Sequence, residues 1–183
     1  MPAIDDAEIH RIVQNVVKNV MGPSAHESAQ PNGKKIVAIG ADHGGFELKE
    51  TLKSDITALG FEVSDVGTNS KDAVDYPDFA HAVAQAVGTG KAWRGIMIDG
   101  AGIGSCIVAN KVPGVRAGMA YDISSANNSR EHNDTNMLTL GAGLIGVALA
   151  KQIVKVWLTT EFAGGRHTPR VDKIMAVEKK YLK

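Results

Sequence analysis

The sequence predicts an α/β fold, a doubly wound sandwich built around a five-stranded parallel sheet. Short apolar runs alternate with longer stretches suited to helices, which is the pattern of strands joined by crossover helices. Several runs are apolar throughout, as in strands buried on both faces, and glycines follow them where a strand turns sharply into a helix. The 183 residues leave room for one such domain, of roughly 100 to 200 residues, and a short appendage.

Five runs carry the strand pattern. In chain order they are KKIVAIGAD, FEVSDVG, GIMIDG, VRAGMAY and MLTLGAG. Each is followed by a stretch long enough for a helix, and parallel neighbours need such a crossover because both strands run in the same direction. The stretch from Arg170 to Lys183 predicts a final helix.

Composition limits the partners and the compartment. Lys and Arg together number 20, as do Asp and Glu, so no net charge draws the chain to nucleic acid or to an anionic membrane. No run approaches the roughly 18 apolar residues of a membrane span, and the N-terminal residues lack the apolar core of a signal peptide. The single cysteine, Cys106, cannot form an internal disulfide, and we expect it to be packed rather than reactive. We therefore expect a cytoplasmic protein that binds neither nucleic acid nor membrane.

The N-terminal segment differs from the rest of the chain. Apolar side chains recur at helical spacing between Ile9 and Val20, with polar residues between them, which predicts an amphipathic helix over residues 1–21. Residues 22–33 are rich in Gly, Pro, Ser, Asn and Gln, the composition of a flexible linker. The α/β domain is expected to occupy residues 34–183.

Polar residues follow three of the predicted strands, at the ends where ligands bind in a sheet of this kind. Asp42 and His43 follow the first strand, and Asp99 with a glycine-rich turn ends the third. After the fourth strand the chain leads to His132 and Asn133. We expect these polar and titratable groups to share one rim at the carboxyl ends of the strands.

The run GAGIGS after Asp99 has the composition of an anion cradle. Its small residues, Gly100, Ala101, Gly102 and Gly104, let backbone N–H groups face a ligand, and the following helix adds its positive end. The run imitates a dinucleotide fingerprint, but that motif belongs to the first strand of a longer fold, so the fit to nucleotide binding is poor. Asp99 itself is either a general base or a cap for the following helix.

Other candidates have both a chemical and a structural interpretation. His132 is either a functional side chain among polar neighbours or a satisfied histidine, and Asp42 with His43 either enters the chemistry or caps the first helix. Arg166 and Arg170 are four residues apart, so that on a helix both could clamp a phosphate. The alternative for this pair is a solvated basic turn.

Four stretches of the sequence resemble one known family. They are IGADHGGFELKE, GIMIDGAGIG leading into ANKVPGVRA, SREHNDTN and GGRHTPRV, and the family is that of ribose-5-phosphate isomerase B, which includes the galactose-6-phosphate isomerase subunits. The resemblance extends from about Lys34 to the end of the chain. It implies a Rossmann-like subunit, a homodimer or dimer of dimers, no metal or other cofactor, and a place in carbohydrate and pentose phosphate metabolism. The implied reaction converts a phosphorylated aldose, first of all ribose 5-phosphate, into its ketose through an enediolate.

The resemblance also implies roles for particular residues. His132 assists opening of the sugar ring, with Asp42 close by, and Asn133 holds substrate oxygens. The amides of the glycine turn stabilise the enediolate oxygen. The implied phosphate ligands, of which the two arginines reach across a dimer interface, are His43, Arg166 and Arg170.

Four positions depart from the family pattern. Much of the family has a catalytic Cys base where this chain has Asp99, and another branch has Glu where this chain has Ser105. A common Thr is Ala101 here, and a phosphate-contacting Arg is Gly143. Asp99 therefore has to be the base if the chemistry is retained. The alternative function is a non-catalytic or differently specific sugar-phosphate-binding subunit, similar to the galactose-6-phosphate isomerase subunit that has Asp at the base position.

The N-terminal helix and linker precede the part of the chain that resembles the isomerases. They resemble the encapsulation peptides that carry enzymes into bacterial microcompartments, which implies shell or cargo proteins as partners of residues 1–21. A mitochondrial presequence fits less well because Asp5, Asp6 and Glu8 lie near the start. The structural alternative is an arm that packs on its own dimer.

Overall fold

The computed structural model of the protein describes residues 35–181. The predicted amphipathic helix over residues 1–21 and the predicted linker over residues 22–33 lie outside the described residues. The predicted α/β domain is described over almost its whole length. Among the described residues, no helix combines the length and the apolar character needed to cross a membrane.

Five strands within the described residues form one parallel sheet, as the sequence predicts. They are β1 (Ile36–Ala41), β2 (Glu62–Asp65), β3 (Arg94–Asp99), β4 (Ala117–Met119) and β5 (Met137–Gly141). Their order across the sheet is β2-β1-β3-β5-β4, and every neighbouring pair is parallel. The strand order reverses its direction between β1 and β3, and this switch point is where a doubly wound sheet opens a crevice for ligands.

Helices connect the strands and close the domain. They are α1 (Phe46–Ala58), α2 (Tyr76–Gly88), α3 (Ile103–Ala109), α4 (Ile123–Glu131), α5 (Val147–Thr159) and α6 (Thr168–Tyr181), with a 3₁₀ turn at Gly165–His167. The final helix begins two residues before its predicted start at Arg170.

Different helices cover the two faces of the sheet. α1 and α5 pack on one face, where Leu52 and Trp157 are fully buried in a cluster with Ile96 of β3. α2 packs on the other face, where Val83 lies in a cluster with Met97. β3 is buried along its whole length, as expected of a strand covered on both faces. The predicted doubly wound, Rossmann-like sandwich is therefore confirmed.

The two ends of the strands define two edges of the sheet. Asp99, at the carboxyl end of β3, lies in register with Gly141 at the carboxyl end of β5. At the other end, the Asn136 amide donates to the carbonyl oxygen of Arg116 (3.1 Å), and the Asn136 carbonyl oxygen accepts from the amide of Gly95 (2.9 Å). At about 3.3 Å per residue, the length of β5 separates these carboxyl and amino edges by about 16 Å.

α4 and α5 both run from the carboxyl edge to the amino edge. Each begins after the carboxyl end of a strand and packs back along the sheet, and the nine residues of α4 span about 14 Å at 1.5 Å per residue. At the end of α5, the carbonyl oxygens of Trp157 and Leu158 accept hydrogen bonds of 2.8 and 3.0 Å from Arg94 at the start of β3. The residues that follow these two helices therefore lie at the amino edge.

Candidate active site

The turn after β1 packs directly against the turn after β3. The amide of Asp42 donates to the carbonyl oxygen of Ile98 (3.1 Å), and a Cβ on Gly45 would lie 2.3 Å from the same oxygen. Only glycine permits so close an approach. A Cβ on Gly44 would lie 3.8 Å from the amide nitrogen of Gly100. The turns that follow β1 and β3 are therefore neighbours at the switch point of the sheet.

Asp42 and His43 occupy the carboxyl edge, as predicted. Asp42 is buried, and its Oδ1 accepts from the amide of Gly45 (2.9 Å). Its Oδ2 has no hydrogen-bond partner among the described residues. The exposed ring of His43 places Nδ1 3.3 Å from the amide nitrogen of Val74, in the segment before α2. One oxygen of Asp42 thus fixes the turn into α1, and the other is available to a ligand.

Asp99 is buried at the end of β3, and both of its carboxylate oxygens accept hydrogen bonds. Oδ1 accepts from the amides of Ala101 (2.8 Å) and Gly102. Oδ2 accepts from the amide (3.3 Å) and from the hydroxyl of Ser105. Because Ser105 lies in the first turn of α3, Asp99 caps this helix, which is one of the two functions left open by the sequence. The same bonds hold the carboxylate in a single position.

The glycine turn after Asp99 lies tightly against β5. Gly102 has a φ of +77°, and a Cβ there would lie 2.9 Å from the carbonyl carbon of Leu140, so this position needs glycine. The amides of Ala101 and Gly102, both expected in the anion cradle, donate to Asp99 instead. Three other amides of the turn have no acceptor within residues 35–181, and these can receive a bound anion: Gly100, Ile103 and Gly104.

His132 and His167 form a second group, at the amino edge. His132 is the C-cap of α4, and His167 ends the 3₁₀ turn. The two rings stack with their centroids 4.1 Å apart and their planes at 8°. Nδ1 of His132 lies 2.8 Å from Nδ2 of Asn128, and Nε of Arg166 donates to Nε2 of His167 (3.3 Å). The two histidines therefore join the loop after α4 to the segment after α5.

The charges around His167 favour its neutral form. Burial lowers the pKa of His167, the neighbouring His132, Arg166 and Arg170 lower it further, and Glu131 opposes them. Arg166 and Arg170 are both exposed and act on the same imidazole. The pair predicted from their spacing therefore forms one basic patch.

Asn133 lies beside this group and is exposed. Its Nδ2 lies 3.4 Å from the carbonyl oxygen and 3.5 Å from Oδ1 of Asn128. With Arg116 and Ile174, it lines a cavity of about 290 Å³. A ligand in this cavity would meet the Asn133 amide directly.

The residues predicted to share one rim divide between the two edges, so that prediction is wrong within one chain. Asp42, His43 and Asp99 lie at the carboxyl edge, whereas His132 and Asn133 lie at the amino edge. Arg166 and Arg170, which were not part of that prediction, also lie at the amino edge. The rule that ligands bind at strand ends applies to residues directly after a strand. His132 follows α4 and Arg166 follows α5, and both helices return the chain to the opposite edge.

Asn128 and His167 belong to this group but are not among the site residues predicted from the sequence. Asn128 precedes His132 by four residues, the spacing at which helical side chains meet, so the pattern contains a signal for this pair. His167 lies next to Arg166 with no pattern that marks it, because only tertiary packing places its ring on His132.

Cys106 packs as the sequence predicts. It is half-buried, and its Sγ lies 3.5 Å from the carbonyl oxygen of Ala117. Burial raises the pKa of the Cys106 thiol, which disfavours the nucleophilic thiolate. These contacts place Cys106 in the packing between α3 and β4.

Comparisons with known proteins agree with this architecture. Residues 37–174 match the family model described as Ribose/Galactose Isomerase. Ribose-5-phosphate isomerase B of Escherichia coli (strain K12) is 45% identical over 146 residues, which cover 80% of this chain and 98% of that protein. D-erythrulose-4-phosphate isomerase of Pectobacterium atrosepticum is 43% identical over 139 residues, which cover 75% and 91%. The structure of Clostridium thermocellum ribose-5-phosphate isomerase B superimposes with a TM-score of 0.78 at 50% identity and covers 80% of this chain and 99% of that one. The protein is thus a member of the ribose/galactose isomerase family.

Proposed function

We propose that the protein interconverts a phosphorylated aldose and its ketose, with ribose 5-phosphate and ribulose 5-phosphate as the leading pair. The names of its relatives support this reaction class. The observation that carries the proposal is the placement of Asp99, a buried carboxylate at the switch point, within a turn that keeps three amides without a protein acceptor among the described residues. A base beside N–H donors is what enediolate formation requires.

The reaction begins with opening of the sugar ring. We assign the proton of the anomeric hydroxyl to Oδ2 of Asp42, while the Nε2–H group of His132 donates a hydrogen bond to the ring oxygen. The bond between the ring oxygen and the anomeric carbon then breaks, and the carbonyl of the open aldose forms. Water carries the proton from Asp42 to the released ring oxygen, so Asp42 returns to its starting state and His132 keeps its proton throughout.

Isomerisation then proceeds through an enediolate. Asp99 takes the proton from C2, and the electron pair moves onto the carbonyl oxygen at C1. The amides of Gly100, Ile103 and Gly104 hold this oxygen. The hydroxyl proton on O2 then passes to O1, and Asp99 returns its proton to C1, which gives the ketose. Ser105 keeps the carboxylate oriented because its hydroxyl donates to Oδ2 of Asp99.

The phosphate is assigned to His43 and to the basic patch of Arg166 and Arg170. Guanidinium groups present planar pairs of donors that match phosphate oxygens. Binding energy at a phosphate remote from C1 and C2 holds these carbons against Asp99.

A second copy of the chain brings the two edges together in this proposal. Asp99 and His132 lie at edges about 16 Å apart, farther than one small sugar reaches. Exposed apolar side chains surround the turn after β3, and such a patch marks an interaction surface: Ile103, Ile107, Leu144 and Val147. We propose a homodimer in which the carboxyl edge of one protomer faces the amino edge of its partner.

The activity is tested with the purified full-length protein and ribose 5-phosphate. We expect ribulose 5-phosphate to accumulate to equilibrium, as measured by the absorbance of the ketose. Aldose phosphates of four and six carbons, assayed in parallel, define the substrate range. If calorimetry shows that these sugars bind but none of them is converted, the protein is a sugar-phosphate-binding subunit and the proposed isomerase function is wrong.

We further propose that residues 1–33 direct the protein to a bacterial microcompartment. The amphipathic pattern, the linker composition and the position before the family match at residues 37–174 support this role. A fluorescent protein fused to residues 1–33 is expected to co-localise with shell proteins produced in the same cell. The matched fusion with Val13→Glu and Val17→Glu, which interrupts the apolar stripe, is expected to stay diffuse. Diffuse fluorescence of the unmodified fusion would contradict the proposal.

A further inference from the structure

Asn128 lies one helical turn before His132, and its side chain is bonded to the imidazole. Nδ2 of Asn128, an amide nitrogen that can only donate, lies 2.8 Å from Nδ1 of His132. With the amide nitrogen facing the ring in this way, Nδ1 offers a lone pair. In a neutral imidazole the proton then lies on the other nitrogen, Nε2. Nε2 of His132 has no hydrogen-bond partner among the described residues.

Two neighbours hold this arrangement in place. Nδ2 of Asn133 lies 3.5 Å from Oδ1 of Asn128, which orients the Asn128 amide so that its nitrogen faces His132. The ring of His167 covers the ring of His132 at 4.1 Å and fixes its plane. The direction of the Nε2–H bond of His132 is thereby set.

The groups around the two stacked rings keep His167 neutral, so that His167 does not alter the tautomer of His132. Arg166 Nε donates to Nε2 of His167 (3.3 Å), so a neutral His167 carries its own proton on Nδ1. Burial and the cations Arg166 and Arg170 lower the pKa of His167, while Glu131 on α4 acts in the opposite direction. A neutral ring stacked on His132 leaves Asn128 as its hydrogen-bonding partner.

We propose that Asn128 is a positioning residue that fixes the tautomer of His132, with the proton on Nε2, so that this nitrogen is the donor presented to an oxygen of the sugar. The inference rests on the proposed part of His132 in ring opening. Removal of the hydrogen-bonding partner that orients a metal-bound imidazole typically costs about 10- to 100-fold in activity, and we take the lower end of this range for the metal-free ring of His132. Asn128 itself makes no contact with substrate in this scheme.

The tautomer of His132 can be determined by NMR, without an activity assay. In protein labelled with ¹⁵N-histidine, we expect the NMR signals of neutral His132 to show a protonated Nε2 and an unprotonated Nδ1. The ring signals are assigned by their loss in His132→Gln. Asn128→Asp supplies a carboxylate acceptor and should move the proton to Nδ1, and Asn128→Leu should leave a mixture. The matched control, Asn127→Leu, should keep the wild-type pattern, because Asn127 pairs with Glu131 (2.8 Å) and Thr160 (3.1 Å) instead.

Activity then shows whether the tautomer serves ring opening. An aldopentose 5-phosphate closes to a furanose, whereas an aldotetrose 4-phosphate stays open because its phosphate blocks the hydroxyl that would close the ring. Asn128→Leu is expected to lower kcat about tenfold for the pentose phosphate and to leave KM unchanged. Turnover of the tetrose phosphate, where the wild-type protein has it, should change less than twofold.

The two readouts separate the possible failures. A wild-type His132 with its proton on Nδ1, or a tautomer that Asn128→Asp leaves unchanged, would overturn the inference whatever the activity. Equal loss of turnover on both sugars would also overturn it, because the defect would then lie outside ring opening. If the wild-type protein converts no sugar phosphate, the proposed isomerase function is wrong. The NMR experiment would still determine the tautomer of His132.

Discussion

Asp99→Asn is expected to lower kcat for the interconversion of ribose 5-phosphate and ribulose 5-phosphate by about 10³-fold, in the range typical of a lost general base. The amide oxygen of Asn can still accept from Ala101 and Gly102, so the turn should keep its shape. An amide cannot take the proton from C2, so the loss should fall on kcat while KM changes little. Initial rates of ketose formation over a range of substrate concentrations measure both quantities.

Asp122→Asn provides the matched control for this substitution. Asp122 caps α4, where its Oδ1 accepts from the amide of Ser125 (2.7 Å), and Asn caps a helix about as well as Asp. This variant should keep activity within about twofold of the wild type. If Asp99→Asn were as mild as Asp122→Asn, Asp99 would be a helix cap alone and the proposed mechanism would lose its base.

Mixing two inactive variants is expected to restore activity if each site combines the two edges of different protomers. Asp99→Asn removes the base at the carboxyl edge, and His132→Gln removes the imidazole at the amino edge. In a mixed dimer, one site receives both defects and the other receives none. Random exchange makes half of the dimers mixed, so an equimolar mixture should recover about a quarter of wild-type activity. The measurement is the rate after the variants are unfolded and refolded together.

The control mixture pairs Asp99→Asn with Asp42→Asn. Both defects lie at the carboxyl edge, so every site in a mixed dimer carries one of them and activity should stay low. Recovery in this control as well as in the first mixture would rule out the proposed division of the site. A lack of recovery in the first mixture, with mixed dimers demonstrated by mass spectrometry, would do the same.

The strands and the Asp99 turn could be predicted because their signals are local. IVAIG and GIMI are apolar without interruption, and β1 and β3 are the two strands that pair along the centre of the sheet. Gly102 has a positive φ, which only glycine adopts readily. The presence of glycine at this position therefore indicates the turn after β3. The family resemblance rests on the same short stretches.

The hydrogen-bond partners within the turn could not be predicted in the same way. Ala101 and Gly102 were expected to bind an anion, and the anion that they bind in the structure is the carboxylate of Asp99. Composition identifies a turn rich in free N–H groups, but it does not say which acceptor each one meets. That choice depends on where the side chain of Asp99 points after β3 ends.

The sequence by itself determined the parallel sheet, the membership of the family and the residue types available for chemistry. Only the tertiary structure decided that His132 and Asp99 lie on opposite edges and that Asn128 and His167 hold the imidazole. The physical reason is distance along the chain. Periodicity and turn residues report interactions within a few positions, whereas the place of His132 depends on a helix that spans the sheet, and its stacking on His167 joins residues that are far apart in sequence.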